Sequence, residues 1–192
     1  MTKATKKKMI RQKNLDMIVN EQPFLTDEQI SQKLDVSVPT VRLDRMELGI
    51  KEMRERVKDV ATKTKEKVKA LSKKDIIGQL LNVELNKKGM ALFETTSEMT
   101  FNNSDIVSGQ YLYSFAESTA LSIIDSEVAL VGVANIKYKI PVKANDSIIS
   151  RAEVKKIRMN NFIVWVTIFR EETEVFRGKF ILVAAKQKGE TN

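Results

Sequence analysis

The chain has 192 residues, with 33 Lys/Arg against 25 Asp/Glu, a formal charge of +8, and neither Cys nor His. Disulfides, thiolate metal sites, redox thiols and catalysis by a His base or a Ser-His pair are thereby excluded. No run of about 18 apolar residues exists, so no membrane span is expected, and the basic start MTKATKKKMIRQKN leads into an amphipathic pattern instead of an apolar signal core. A cytoplasmic protein is expected. Lys6 to Glu21 reads as a first helix, with Met9, Ile10, Met17 and Ile18 covering a helix pair next along the chain and Lys7, Lys8, Arg11 and Lys13 near backbone phosphates.

Pro23 to Leu48, the helix pair, carries the strongest local signal. Thr26 followed by Gln29 is a capping box that satisfies orphan N–H groups at a helix start. Ile30 and Leu34 then share one face. Asp35-Val36-Ser37 forms a turn with Val36 pointing inward. Ser37 caps a second helix whose first turn holds Pro39, where a missing N–H costs little. Val41, Met46 and Leu48 are expected in the core. Ser37, Thr40, Arg42 and Arg45 are left for outward contacts, a hydroxyl- and Arg-rich surface suited to phosphates and base edges in the major groove. Residues 1–49 thus read as an all-α helix-turn-helix head.

From Ile50 to Leu71 the apolar residues Ile50, Met53, Val57, Val60, Thr64 and Leu71 recur in steps of three and four. This predicts an amphipathic connecting helix, with residues 50–75 as linker. Its seam suits either pairing with its twin in a dimer or packing against its own domains. Ser72 to Asp75 reads as a helix stop and restart. Charge is uneven across this point: residues 1–75 hold 19 Lys/Arg against 12 Asp/Glu, and residues 76–192 hold 14 against 13. The excess positive charge belongs to the half with the helix pair, as a polyanion partner requires.

Residues 76–192 differ in kind. Ala91 to Thr96 and Met99 to Phe101 read as extended. Gln110 to Ile124 reads as one mostly apolar, largely buried helix. Strand-like runs come after it at Val128–Lys139, Ser147–Met159, Phe162–Arg170 and Glu174–Ala185, with Asn160-Asn161 as a hairpin turn. One helix followed by antiparallel strands is an α+β arrangement. A long sheet curled around one buried helix is the layout called the hotdog fold, whose members generally dimerise and often bind acyl thioesters of coenzyme A.

The segment TVRLDRMEL resembles the second helix of DeoR-type regulators. The segments PFLTDEQISQKLDVSVPTVRLDRMELGIKEMRERVKDVA, DIVSGQYLYSFAESTALSIID and VANIKYKIPVKANDSI together resemble the FapR family, bacterial repressors of fatty acid and phospholipid synthesis genes. The resemblance implies a homodimer on a palindromic double-stranded DNA operator, released by malonyl-CoA, with no cofactor and no enzymatic activity. It implies DNA contacts from Ser37, Pro39, Thr40, Arg42 and Arg45, and from Arg54 and Arg56 at the linker start, which reach toward the minor groove. It places Phe101, Ile106, Ser108, Gly109, Glu117 and Leu130 at the effector site.

Two positions depart from that family pattern. Ser108 stands where the family has an Arg that pairs with the malonyl carboxylate, and Glu117 stands where it has Asn. Lys137, Lys139 and Arg151 are the candidate replacement cations. Malonyl-CoA remains the leading effector, beside other acyl-CoA or acyl-carrier-protein thioesters. Plain readings of the two departures are helix capping for Ser108 and a solvated helix face for Glu117. A second class of function is also open: an acyl-CoA thioesterase with Glu117 as base or nucleophile and the Gly109 N–H polarising the carbonyl. The sizeable second domain argues against a purely architectural DNA binder.

Overall fold

The computed structural model describes residues 3–185; residues 1–2 and 186–192, at the ends of the expected first and last domains, lie outside it. The chain divides into two compact units at Val60/Ala61.

The first unit contains α1 (Lys3–Glu21), α2 (Asp27–Leu34), α3 (Val38–Glu47) and the first half of α4 (Met53–Lys65). Local chemistry sets these boundaries. The Thr26 hydroxyl accepts from the Gln29 N–H at 3.3 Å, and the Gln29 side chain accepts from the Thr26 N–H at 3.0 Å. Asp35 ends α2 in the left-handed region at φ 51°, where a short polar side chain is tolerated. Ser37 caps α3 by accepting from the Thr40 N–H. Gly49, at φ +67°, stops α3: its N–H donates to Met46 O and the Ile50 N–H donates to Arg45 O, so two orphan carbonyls are satisfied.

The core of this unit is small: Leu15, Val19, Leu25, Ile30 and Val41, with Ile18, Leu34, Val36 and Ile50 packed around it. Here the expected inward face of α1 is corrected. Leu15 and Val19, four apart, are buried, while Met9, Ile10 and Met17 are exposed. Met46 and Leu48 are likewise exposed instead of buried. The reason is polar. Arg11 and Gln12 reach across to Asp44 of α3, Lys8 and Gln12 reach Glu47, and these contacts rotate α1 so that Leu15 faces inward.

α4 is shorter than the expected linker. Its 13 residues end at Lys65, and Ser72–Asp75 forms a turn with no helical restart. The apolar residues Val68, Ala70 and Leu71 leave the helix to pack on the core of the second unit.

The second unit holds β1 (Gln79–Glu84), β2 (Lys88–Glu94), α5 (Gly109–Ser122), β3 (Ala129–Tyr138), β4 (Ser147–Arg158), β5 (Asn161–Arg170) and β6 (Thr173–Ala184). The strands form one antiparallel sheet in the order β1-β2-β4-β5-β6-β3. Strand alternation presents Ile148, Ala152, Val164, Val166, Ile168, Phe176, Phe180 and Leu182 to one face, and α5 fills it with Leu112, Phe115, Ala116 and Ala120. This sheet wrapped on one helix is the hotdog fold. β1 is a strand beyond those that the sequence pattern marks. Met99 lies in a 3-10 turn (Ser97–Met99) instead of extended chain. The hairpin turn falls one residue early, at Met159-Asn160, with Met159 at φ 48° and Arg158 paired to Asn161.

The polar groups of α5 are mostly satisfied. Thr119 donates to Phe115 O at 2.8 Å, Ser122 donates to Ser118 O at 2.7 Å, and the Ser118 hydroxyl accepts from the Ile77 N–H. Ser150, on the helix-facing side of β4, is different: its hydroxyl is buried with no hydrogen-bond partner among the described residues. An unsatisfied buried hydroxyl is destabilising, so Ser150→Ala should raise stability by about 1 kcal/mol, visible as a higher midpoint in thermal unfolding.

Asp44 supplies a second test. The Arg11 hydrogen bond holds its carboxyl below the ordinary value of 3.8, with help from Gln12 and against the opposing effect of burial. Its contribution to stability is therefore complete above pH 3.8 and is lost as pH falls through the lowered folded value. Unfolding monitored against pH should show this acid loss, and Asp44→Asn should flatten it while lowering stability at neutral pH.

Candidate functional site

The exposed surface of α3 consists of Pro39, Arg42, Leu43, Met46 and Glu47, with Ser37 exposed at its start and Thr40 half-buried beside it. The Ser37 and Thr40 hydroxyls are 2.9 Å apart. Arg42 projects outward and lies 3.5 Å from Asp27 and 3.8 Å from Glu28. Leu43 and Met46, 62% and 71% exposed, occupy the centre of this face. Sequence reasoning assigns Met46 to the core and does not single out Leu43. Apolar side chains on such a face can meet thymine methyl groups in the major groove. Their signal in the sequence is the spacing from Pro39 through Arg42 and Leu43 to Met46, one helix face.

Two of the expected outward arginines are corrected. Arg45 is only 6% exposed: it donates to both Asp27 carboxylate oxygens, at 3.2 and 3.3 Å, and to Ile50 O at 3.0 Å. Arg56 is also 6% exposed. It donates to Pro23 O at 3.1 Å, Leu25 O at 2.7 Å and Lys51 O at 2.6 Å, and desolvation lowers its pKa. Both guanidiniums are structural clamps. Arg56 bonds the first turn of α4 to the α1–α2 connection, which leaves Arg54 of the same turn exposed at a fixed place in the first unit. Of the α1 cations, Lys8 and Arg11 are committed to Glu47 and Asp44.

In the second unit, Ile106 and Gly109 line a recess of about 420 Å³ with Val107, Leu112, Tyr138, Ile140, Pro141 and Val142. The Tyr138 hydroxyl donates to Gly109 O at 3.0 Å, and a Cβ at position 109 would sit 2.9 Å from the Tyr138 ring. Glycine is needed there for that approach. Phe101 adjoins the recess, its N–H donating to Ile106 O. Ser108 holds the N-cap position of α5 but its hydroxyl makes no capping bond. Glu117 lies two turns along α5 from Gly109, half-buried, and burial pushes its carboxyl above the usual carboxylate range. Leu130 is exposed near the far end of β3, eight residues or about 26 Å from Tyr138. One chain therefore does not bring Leu130 to the recess.

None of the three candidate cations takes the place of an Arg at position 108. Lys139 borders the recess, but its ammonium is 2.8 Å from Glu174. Lys137 alternates with Tyr138 and so faces the other side of the sheet. Arg151 faces away from α5 and stacks 5.1 Å from the Phe169 ring.

Comparison with known proteins decides the family. A "Transcription factor FapR" from Caldanaerobacter subterraneus subsp. tengcongensis is 50% identical over 187 residues, 97% of this chain and 91% of that protein. The chain belongs to the FapR family. A second member, from Halalkalibacterium halodurans, is 37% identical over 95% of this chain and 98% of its own length. No family model matches. Solved structures share the fold alone. A virulence protein from Campylobacter jejuni superposes at TM-score 0.61 and 16% identity, over 67% of this chain and 92% of that one. An uncharacterised protein from Pyrococcus horikoshii superposes at 0.56 and 23%, over 58% and 85%. Among the described residues no helix is long and apolar enough to cross a membrane.

Arg54 and Arg56, two residues apart on α4, should behave oppositely. Arg56→Met leaves buried carbonyls without a donor and should cost about 2 kcal/mol of stability, measured by denaturant unfolding. Arg54→Ala should leave stability within about 0.5 kcal/mol of the parent and instead weaken duplex binding with a shallower salt dependence.

Proposed function

We propose that the protein is a homodimeric repressor of bacterial fatty acid and phospholipid synthesis genes, holding a palindromic operator until an acyl thioester of CoA releases it. Membership of a family of transcription factors along nearly the whole chain carries this reading. The exposed face of α3, with Ser37, Pro39, Thr40, Arg42, Leu43 and Met46, is the part that enters the major groove, and Arg54 tracks the adjacent backbone.

The edge strand β3 supports the dimer. Among the described residues it pairs with β6 alone and forms a ten-residue edge of the sheet, with exposed Leu130 and Val133. A long edge of this kind is normally covered. Antiparallel pairing with the same strand of a second copy, centred near Ala134, would set the partner subunit's Leu130 beside Tyr138. That brings the separated effector residues Phe101, Ile106, Ser108, Gly109, Glu117 and Leu130 to one composite site, repeated by the twofold axis. A thioester bound there acts by population shift: it favours the arrangement of the two heads that does not match the half-site spacing.

Glu117, without a hydrogen-bond or ion-pair partner among the described residues and with its carboxyl pushed upward by burial, is also the residue a hydrolase of this fold would use. A DNA-binding head on the same chain favours the sensor. Duplexes from promoters of fatty acid synthesis genes, titrated with malonyl-CoA and with plain CoA, test both readings. Malonyl-CoA, implied by the family resemblance, should lower operator affinity more than CoA, native mass spectrometry should report two chains per duplex, and free thiol should not accumulate. Unchanged affinity with both compounds rejects malonyl-CoA as the effector, and steady thiol release that stops in Glu117→Ala establishes the enzyme instead.

A further inference from the structure

We propose that the face of the hotdog sheet turned away from α5 binds single-stranded nucleic acid, with Trp165 as the platform on which an unpaired base stacks. Trp165, Thr167 and Phe169 alternate with the core residues Val164, Val166 and Ile168 along β5, so they share the outer side of the sheet. Trp165 is the chain's one tryptophan and is 48% exposed, in a strand whose other side is fully buried. An indole left half in water on a central strand is a large apolar surface without a partner.

Strand pairing surrounds it with cations. Lys179 of β6 is directly opposite Trp165, and Arg151 of β4 and Arg177 of β6 flank Thr167 on its two sides. Lys137 of β3 is opposite Arg177. Farther along β4, Lys156 and Arg158 pair with Ile163 and Asn161 on the same side. The Lys155 ammonium lies 5.7 Å from the centre of the Trp165 ring. Between Trp165 and Phe169 the face is recessed, a cavity of about 440 Å³ whose walls include Met90, Arg151 and Thr167.

The carboxylates beside these cations are already engaged. Glu153 binds Lys155, Glu84 binds Lys88, and Glu174 binds Arg177 and Lys139. Lys137, Arg151, Lys156, Arg158 and Lys179 have no hydrogen-bond or ion-pair partner among the described residues. Like charges facing one another across strands, as Arg177 and Lys137 do, are destabilising. Residues 76–192 are close to neutral, with 14 Lys/Arg against 13 Asp/Glu, so the accumulation is local to this face. It calls for a polyanion from outside the chain.

The aromatic platform selects among polyanions. A duplex turns its bases inward and offers Trp165 no ring face. An acidic protein segment neutralises the cations but leaves the indole in water. One free nucleotide carries too few phosphates for cations spread over four adjacent strands, about 15 Å. Unpaired bases on a connected backbone satisfy both features, stacking on the indole while the phosphates follow the cations.

Trp165 fluorescence in the full-length protein reports this face and not the head, since the head has no tryptophan. An oligothymidylate of about 12 nucleotides, within the footprint of other single-strand binders, should quench it saturably. Affinity plotted against salt on logarithmic axes should have a slope of about −3.5, five phosphates at about 0.7 each. Lys137→Ala combined with Lys179→Ala, both exposed, should reduce that slope to about −2 and leave operator-duplex affinity unchanged. No fluorescence change at low ionic strength overturns the proposal, as does a slope that the double variant does not move. An equal or larger change with thymidine triphosphate, polyglutamate or anionic phospholipid vesicles also overturns it, and gives the face to that ligand class instead. The operator and thioester titrations are read separately, so the sensor reading stands or falls independently of each outcome.

Discussion

The first unit is held by guanidinium groups turned inward. Its apolar core contains only five fully packed side chains, too few to fix three helices and the start of a fourth by burial alone. Arg11 joins α1 to Asp44, Arg45 joins α3 to Asp27 at the start of α2, and Arg56 joins α4 to three backbone carbonyls. Fork-shaped donors suit this task because one side chain satisfies two or three acceptors at once. The consequence reaches function directly. Half of the arginines in the helix pair and linker start are consumed as structure, and Arg42 and Arg54 are the ones left facing water.

That division changes the make-up of the recognition surface. With Arg45 withdrawn, the outward face of α3 is a mixture of hydroxyls, one guanidinium and two large apolar side chains. Such a face is suited to shape and methyl contact as much as to charge. The net positive charge of this half still provides long-range attraction to a duplex, but the groups that make close contact are fewer than composition implies.

The second unit rests on a different constraint. α5 is apolar on most of its circumference and must be enclosed, so the six-stranded sheet curls around it. The row Gly109, Tyr113, Glu117 lies on the half-buried side of the helix. A partly desolvated carboxyl and the Tyr113 phenol in that row, with the Tyr138 phenol of β3 against its Gly109 end, make the open side of the helix chemically distinct from its core side. The edge strand β3 borders the same side, its Tyr138 hydroxyl donating to Gly109 O.

The sequence by itself determined the local devices: the capping box at Thr26, the Ser37 cap, the turn at Asp35, the α5 helix and the four long strands of the hotdog sheet. These depend on neighbours within a few residues, or on a period that survives reading in one dimension. It also determined the family, because the combined motifs were specific. Tertiary structure alone decided which face of α1 is buried, since Leu15 and Met17 are equally apolar and the choice comes from Arg11 and Gln12 reaching Asp44, 33 and 32 residues away. It decided that Arg45 and Arg56 are clamps, because an arginine's pattern in sequence is the same whether its acceptors are carbonyls of its own chain or phosphates of another molecule. It ended α4 at Lys65, because Val68 and Leu71 gain more by packing on the sheet than by continuing a helical stripe. And it separated Leu130 from Gly109 by the length of a strand, a distance that no motif spacing encodes.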